Sequence, residues 1–278
     1  MKVRRSDRLI DMTRFLLERP RTLVSLSFFA ERYESAKSSI SEDLTILKRT
    51  FQERGTGLLE TLPGAAGGAR FIPYILKEDA SDYIDYLCKE VSDSHRVMPG
   101  GYVYLSDLLG KPEVLRQIGR LIATQYMNQT IDMVLTVSVK GIPIAQAVAE
   151  QLNVPFVIAR QDGAITDGAT VSVNYVSGSS TAIEKMQISK RALPAGSRVL
   201  IVDDFVKGGG TISGLASLVR ELDCEVAGIT VFGEGRFNGE RQSENFTSLL
   251  HVETLQSESE PIRATPGNYM HRVFGNER

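Results

Sequence analysis

The chain has 278 residues, 42% of them hydrophobic and 24% charged, with a net charge of −2, the make-up of one large or two ordinary globular domains. No apolar run approaches the ~18 residues of a membrane span, and the basic N-terminus lacks the apolar core of a signal peptide. Cys88 and Cys224 are the only cysteines, and neither they nor the scattered His95, His251 and His271 show metal-ligand spacing. Neither a disulfide nor a zinc site is expected, and the thiols read as buried groups in a reducing cytoplasm.

The small net charge conceals an asymmetry. Residues 1–74 hold thirteen Lys/Arg and nine Asp/Glu, a net of +4, which leaves −6 for residues 75–278. A basic first quarter on an acidic body points to a polyanion as the partner of the first quarter, although solvated basic helices are common.

Residues 5–18 place Leu9, Ile10, Met12, Phe15, Leu16 and Leu17 at helical spacing, and Pro20 ends that helix. Residues 22–25 form a short connection, with Ser25 placed to N-cap a second helix running to Glu31. In a third helix Ser39 and Glu42 have capping-box spacing, and Ile40, Leu44, Leu47 and Phe51 make an inward stripe. The opposite face carries Lys37, Ser38, Ser41, Thr45, Lys48 and Arg49, short hydrogen-bonding groups and cations suited to a major groove. Two strand-like runs, 57–62 and 69–75, flank the Pro/Gly/Ala stretch 63–68 as a hairpin, with 64–70 and its Arg70 expected at a DNA backbone. Three helices and a hairpin resemble a winged-helix DNA-binding domain over residues 1–74. A generic helical lead domain, an oligomerisation module and a regulatory subunit that binds no DNA are the alternatives; a buried Lys48/Arg49 face would favour the last.

Residues 80–91 read as a linking helix, 100–104 as an exposed loop or strand containing Tyr102, and 112–127 as a helix. Strand and helix then alternate: 132–139, 142–152, 154–159, strands at 171–176 and 185–190 around the loop 177–180, then 199–202, a helix from Ile212, and 225–232. Such alternation means a parallel sheet covered by helices, and ligands on such sheets bind at the carboxyl ends of strands.

Residues 199–211 are the most informative segment. Four apolar residues, Val199 to Val202, make a buried strand, and Asp203 and Asp204 stand where it should end. Phe205 and Lys207 follow, then Gly208, Gly209, Gly210 and Thr211, and an apolar-periodic helix begins. Backbone N–H groups of such a turn and the positive helix end accept a phosphate, and paired carboxylates accept hydrogen bonds from two ribose hydroxyls. A Gly-rich βα turn with no ligand is the bland reading, but three consecutive glycines carry an entropic cost with no packing return. The segment resembles the phosphoribosyl diphosphate (PRPP) signature of type I phosphoribosyltransferases. Lys140 and Gly141 then stand where that family has its diphosphate loop, 177–180 resembles its mobile hood loop, and Tyr102 and Phe205 are placed to cover a base or ribose. Two departures matter: Lys207 and Gly208 replace the usual small or acidic residue and Thr or Ala. In the hypoxanthine–guanine branch a general-base Asp occupies the position of Lys207, and a cationic lysine does not take that role. No catalytic residue is therefore assigned.

At the level of the whole chain, the winged-helix-like first quarter together with residues 174–180 and 203–211 resembles the purine operon repressors of Gram-positive bacteria. The resemblance implies a homodimer on palindromic operator DNA upstream of purine biosynthesis and salvage genes. It also implies PRPP, with Mg2+, as an inducer bound at the signature, and guanosine tetraphosphate as a competing corepressor. Lys140, Arg160, Lys185, Lys190, Arg191 and Lys207 are candidates for a cationic surface near that site. The rival expectation is an enzyme, a purine phosphoribosyltransferase with an added N-terminal domain.

Overall fold

The computed structural model describes residues 3–64, 67–98, 102–162, 168–176, 183–237, 241–242, 245–253 and 262–275. The loop 177–180 and part of the 63–68 hairpin tip lie outside the described residues. The chain divides into two compact units, Met1–Leu76 with Gln151–Asn153, and Lys77–Glu150 with Val154–Arg278.

The first unit contains α1 (Arg5–Leu17), β1 (Val24–Ser25), α2 (Leu26–Arg32), α3 (Lys37–Glu53), β2 (Leu58–Leu62) and β3 (Gly68–Ile72). Ser25 caps α2, its side chain accepting from the Phe28 N–H at 3.1 Å. The stripe Ile40, Leu44, Leu47 and Phe51 is buried against Met12, Leu16, Phe29 and Phe71. Two expectations fail here. The capping box is not used, because α3 starts at Lys37 with Ala36 at its N-cap and no side-chain cap, so Ser39 already lies inside the first turn. Residues 24–25 are not a mere connection: β1 pairs antiparallel with β3, giving a three-stranded sheet of order β1-β3-β2.

The second unit opens with α4 (Lys77–Val91), the short strands β4 (Val97–Met98) and β5 (Tyr102–Val103), and α5 (Pro112–Gln125). Then come β6 (Met133–Val137), α6 (Gly141–Leu152), β7 (Phe156–Ala159), β8 (Thr170–Val176), β9 (Ile183–Ser189), β10 (Arg198–Val206) and α7 (Gly210–Glu221). The chain closes with β11 (Glu225–Gly235), β12 (Thr247–Glu253), β13 (Arg263–Pro266) and α8 (Tyr269–Phe274). Six strands form one sheet of order β13-β12-β11-β10-β6-β7, parallel except for β13, while β8 and β9 form a separate hairpin. Leu215, Leu218 and Val219 of α7 pack onto Val199 and Ile201 of β10 and Leu135 of β6, all with no more than trace exposure. Strand β10 does not end before the acidic pair. Pairing with β11 continues through Phe205↔Gly233 and Val206↔Glu234. Among the described residues no helix is long and apolar enough to cross a membrane, and no three His, Cys, Asp or Glu side chains gather as a metal site.

Candidate functional site

Strands β6 and β10 are neighbours in parallel register, with Ile201 opposite Leu135. Their carboxyl ends therefore finish side by side, and both sequence motifs arrive there. Gly141 opens α6 after β6 and lies against the acidic pair: a Cβ on it would collide with Thr136 Oγ1 and sit 2.8 Å from Asp203 Oδ1. Glycine is what lets this βα turn approach the carboxylate so closely. The Ser138–Val139 peptide before it is cis, and Lys140 is exposed.

Asp203 is buried at 3% exposure. Its Oδ1 accepts the Asp204 backbone N–H at 2.9 Å. Burial, and then the neighbouring Asp204 charge, push the Asp203 carboxyl well above its ordinary 3.8. Asp204 is raised as well, chiefly by burial, with the Lys140 charge opposing. The pair is thus biased toward its protonated forms, and a partner that donates hydrogen bonds to the carboxylates shifts it toward the ionised ones.

Beyond the pair the chain turns through Gly209, whose φ of +82° falls in the left-handed region that glycine tolerates. Gly208 offers its carbonyl to the Gln242 N–H at 3.0 Å. Gly210 and Thr211 then begin the 12-residue α7, with Thr211 half-buried. The first-turn N–H groups of such a helix are available to an anion. The face of α7 carrying Gly210 and Gly214 is bare and receives the β8–β9 hairpin: a Cβ at Gly210 would overlap the Val176 carbonyl oxygen, and one at Gly214 would lie 2.8 Å from Met186.

The structure thus brings Lys140, Gly141, Asp203, Asp204 and Gly208–Thr211 to one end of the sheet. Phe205 is half-buried, and its ring fills the space beside Gly233 and Gly235 on β11, so it packs on the neighbouring strand. The Lys207 stem also lies over Gly235. Tyr102 belongs to the β4–β5 ribbon, opposite Met98. Arg160, Lys185, Lys190 and Arg191 are exposed. Sequence reasoning missed two polar groupings. At the end of β11, Glu234 accepts from Arg241 at 2.6 Å and from Ser248 at 2.7 Å. Glu184 on the hairpin accepts from Tyr175 at 2.6 Å and Gln161 at 2.8 Å. Isolated Glu and Arg codes many residues apart give no signal of either.

In the first unit Lys37, Ser38, Ser41, Thr45, Lys48 and Arg49 are all exposed on one helix. The buried Lys48/Arg49 face that would have favoured a regulatory subunit binding no DNA is not found. Thr45 Oγ1 donates to the Ser41 carbonyl at 2.9 Å. Arg70 is not an unengaged cation: its guanidinium binds Glu60 across β2 and β3, at 2.5 Å from Nη2.

A three-helix unit with a small antiparallel sheet, in one chain with a mostly parallel sheet ending in this acidic pair and glycine turn, defines a winged-helix domain joined to a phosphoribosyltransferase-type domain. Two family models agree: the bacterial purine repressor N-terminal domain matches residues 4–73, and the phosphoribosyl transferase domain matches residues 105–262. The chain is 50% identical over 270 residues to the purine biosynthesis transcriptional repressor of Bacillus subtilis, covering 97% of this chain and 95% of that one. It is 49% identical over 266 residues to the purine biosynthesis transcriptional activator of Lactococcus lactis subsp. lactis, covering 96% and 98%. Among solved structures, a Saccharomyces cerevisiae adenine phosphoribosyltransferase shares the fold at a TM-score of 0.50 and 22% identity, over 55% of this chain and 89% of that one. The chain belongs to the bacterial purine repressor family, whose members are transcriptional regulators of purine biosynthesis.

Proposed function

We propose that the chain is a repressor of purine biosynthesis and salvage genes that binds operator DNA through α3 and the β2–β3 hairpin, and that PRPP at the β10–α7 turn is its inducer. The observation that carries the reading is the pairing, in one chain, of an exposed polar and cationic helix face with an acidic pair, Asp203 buried and Asp204 half-buried, set before a phosphate-type turn. Asp203 and Asp204 accept the two ribose hydroxyls, the turn from Gly208 to Thr211 takes the 5-phosphate, and Lys140 and the Gly141 N–H face the diphosphate. Both carboxylates are oxygen donors of the kind Mg2+ takes, and a cation accompanying the diphosphate favours their ionised forms. Guanosine tetraphosphate, also a diphosphate-bearing ribose, competes for the same cradle and favours repression. The functional unit is a cytoplasmic homodimer on a palindromic site.

An effector changes DNA affinity only if it binds the free and DNA-bound forms unequally. The test is retardation of purine-gene promoter DNA by the purified chain, with and without millimolar PRPP, beside transcription of the same promoter in vitro. Release of DNA with rising transcription supports the reading. Because one relative is called an activator, tighter DNA binding and more transcription with PRPP would reverse the assigned sign.

One observation favours the rival enzymatic reading: the acidic pair and phosphate turn are intact. Against it stands Lys207, whose stem packs on β11 at the position where one branch of transferases has its base.

A further inference from the structure

We propose that Asp43 is a positioning residue for operator reading: by holding Arg5 and Arg8 it fixes the leading half of α3, and it keeps the half-exposed Arg5 off the DNA backbone. The proposal rests on the DNA-binding reading above.

Asp43 lies on the buried face of α3, among Ile40, Leu44 and Leu47, with its side chain fully enclosed. A carboxylate there is costly unless it is paired and hydrogen-bonded. It is paired twice. Oδ1 accepts from Arg5 Nε at 2.9 Å and Oδ2 from Arg8 Nε at 2.5 Å. Arg8 is itself 7% exposed and continues through Nη1 to Ser35 Oγ at 3.1 Å. Ser35 Oγ donates onward to the Tyr33 carbonyl at 3.0 Å. Residues 33–36 are the turn between α2 and α3, where Glu34 takes a φ of +48°. One guanidinium therefore joins α1 both to α3 and to the turn that sets where α3 begins. Asp11 of α1 ties the other side of that turn, accepting from Arg32 at 2.9 Å and Tyr33 at 2.8 Å.

The apolar stripe of α3 holds the helix down, but apolar burial is non-directional. It leaves rotation and sliding of the helix weakly opposed. Two charge-assisted hydrogen bonds to rigid forks do oppose them. The residues whose aim they fix are Lys37, Ser38 and Ser41, on the turns flanking Asp43. The second consequence concerns charge. Arg5 is about half exposed, and apart from Asp43 its partner is Glu42 at 3.6 Å. Removing the Asp43 charge frees a cation for phosphate while loosening the reading helix, so affinity for random DNA and discrimination move in opposite directions. A pair that merely held the domain together would move both the same way.

The experiment uses the full chain carrying Asp43→Asn, which keeps the shape and removes the charge. Binding to a purine promoter fragment and to a scrambled fragment of equal length is measured across a salt series. Expected is at least a ten-fold loss of preference for the promoter, with scrambled DNA bound as tightly or more tightly. The salt slope on scrambled DNA should steepen by about one unit, because the freed arginine neutralises one more phosphate. Equal weakening on both fragments, or unchanged preference, overturns the proposal. If circular dichroism shows that Asp43→Asn does not fold, Arg5→Gln decides. It leaves the Arg8 pair in place and should keep the wild-type salt slope on both fragments, whereas a slope flatter by about one unit puts Arg5 on a phosphate and overturns the proposal. A wild-type chain that does not distinguish promoter from scrambled DNA removes the DNA reading itself. A discriminating wild type with an unaffected Asp43→Asn removes only the role given to Asp43.

Discussion

The backbone N–H of Asp204 donates to the carboxylate of Asp203, 2.9 Å away, so the first acid of the pair is supported by the peptide that carries the second. Burial still dominates, and both carboxyls sit above their ordinary value of 3.8. Under the proposed reading, ribose hydroxyls and Mg2+ favour the ionised forms, and effector binding is expected to release protons. PRPP affinity should therefore rise with pH above the ordinary carboxylate range and level off once both groups are ionised in the free protein. Calorimetry in buffers of different ionisation heat measures the proton release directly, and uptake instead of release would contradict the assignment.

The same raised values predict a trade between stability and binding. A folded-state value above the unfolded one contributes stability that is complete below about pH 3.8 and is lost as pH rises through the raised value. Asp203→Asn escapes that loss. Its melting temperature should exceed that of the parent at neutral pH, at about 2–4 °C per kcal/mol for a domain of this size, and the gain should vanish in acid. Replacing both carboxylates by Ala should abolish the response to PRPP while operator binding persists. Unchanged PRPP affinity in the double variant rules out the pair as the ribose site.

Gly141→Ala tests the close approach of the two βα turns. The added methyl meets Thr136 Oγ1 and Asp203 Oδ1 well inside van der Waals separation. We expect PRPP affinity to fall at least ten-fold, with a stability cost of about 1–3 kcal/mol from overpacking. Isothermal titration and denaturant melts give the two numbers, and wild-type PRPP affinity would remove Gly141 from the site.

No transfer to adenine, guanine, hypoxanthine or xanthine is expected. The check is release of diphosphate from PRPP with each base in turn. Turnover on the order of 1 s⁻¹ or faster, an ordinary enzymatic rate, restores the enzymatic reading.

On α3, loss of charge at Lys48 and Arg49 should weaken promoter and random DNA alike. The salt dependence should flatten by about one unit for each phosphate left without its cation. Changes at Ser41 should mainly erode discrimination, and PRPP binding should survive all of them. If the double variant keeps wild-type affinity and slope, the reading face lies elsewhere.

The chemistry of the site was legible because it is local. Strand, acidic pair, glycine turn and helix occur in one run of residues, and the α3 stripe repeats within one helix. What escaped notice depends on distant partners. Asp43 drew no reading, because its burial depends on Arg5 and Arg8 of another helix. β10 outruns its apolar core because β11 pairs with it past the acidic residues. The strands β12 and β13 went unread since their alternation is broken by Ser248, His251 and Thr265; Ser248 Oγ donates to Glu234 and Thr265 Oγ1 to the His251 carbonyl. Helix α8, at six residues, is too short to show a period.

The bare face of α7 gives the hairpin a seat on the very helix whose first turn is assigned to the phosphate. Gly210 serves both, since its N–H belongs to that first turn while its missing side chain admits the Val176 carbonyl. On the proposed reading, a phosphate at one end of this peptide bears on the hairpin seated at the other. Amide exchange along β8 should slow when PRPP is added and stay unchanged when the acidic pair has been removed, which makes that strand a built-in gauge of the site's state.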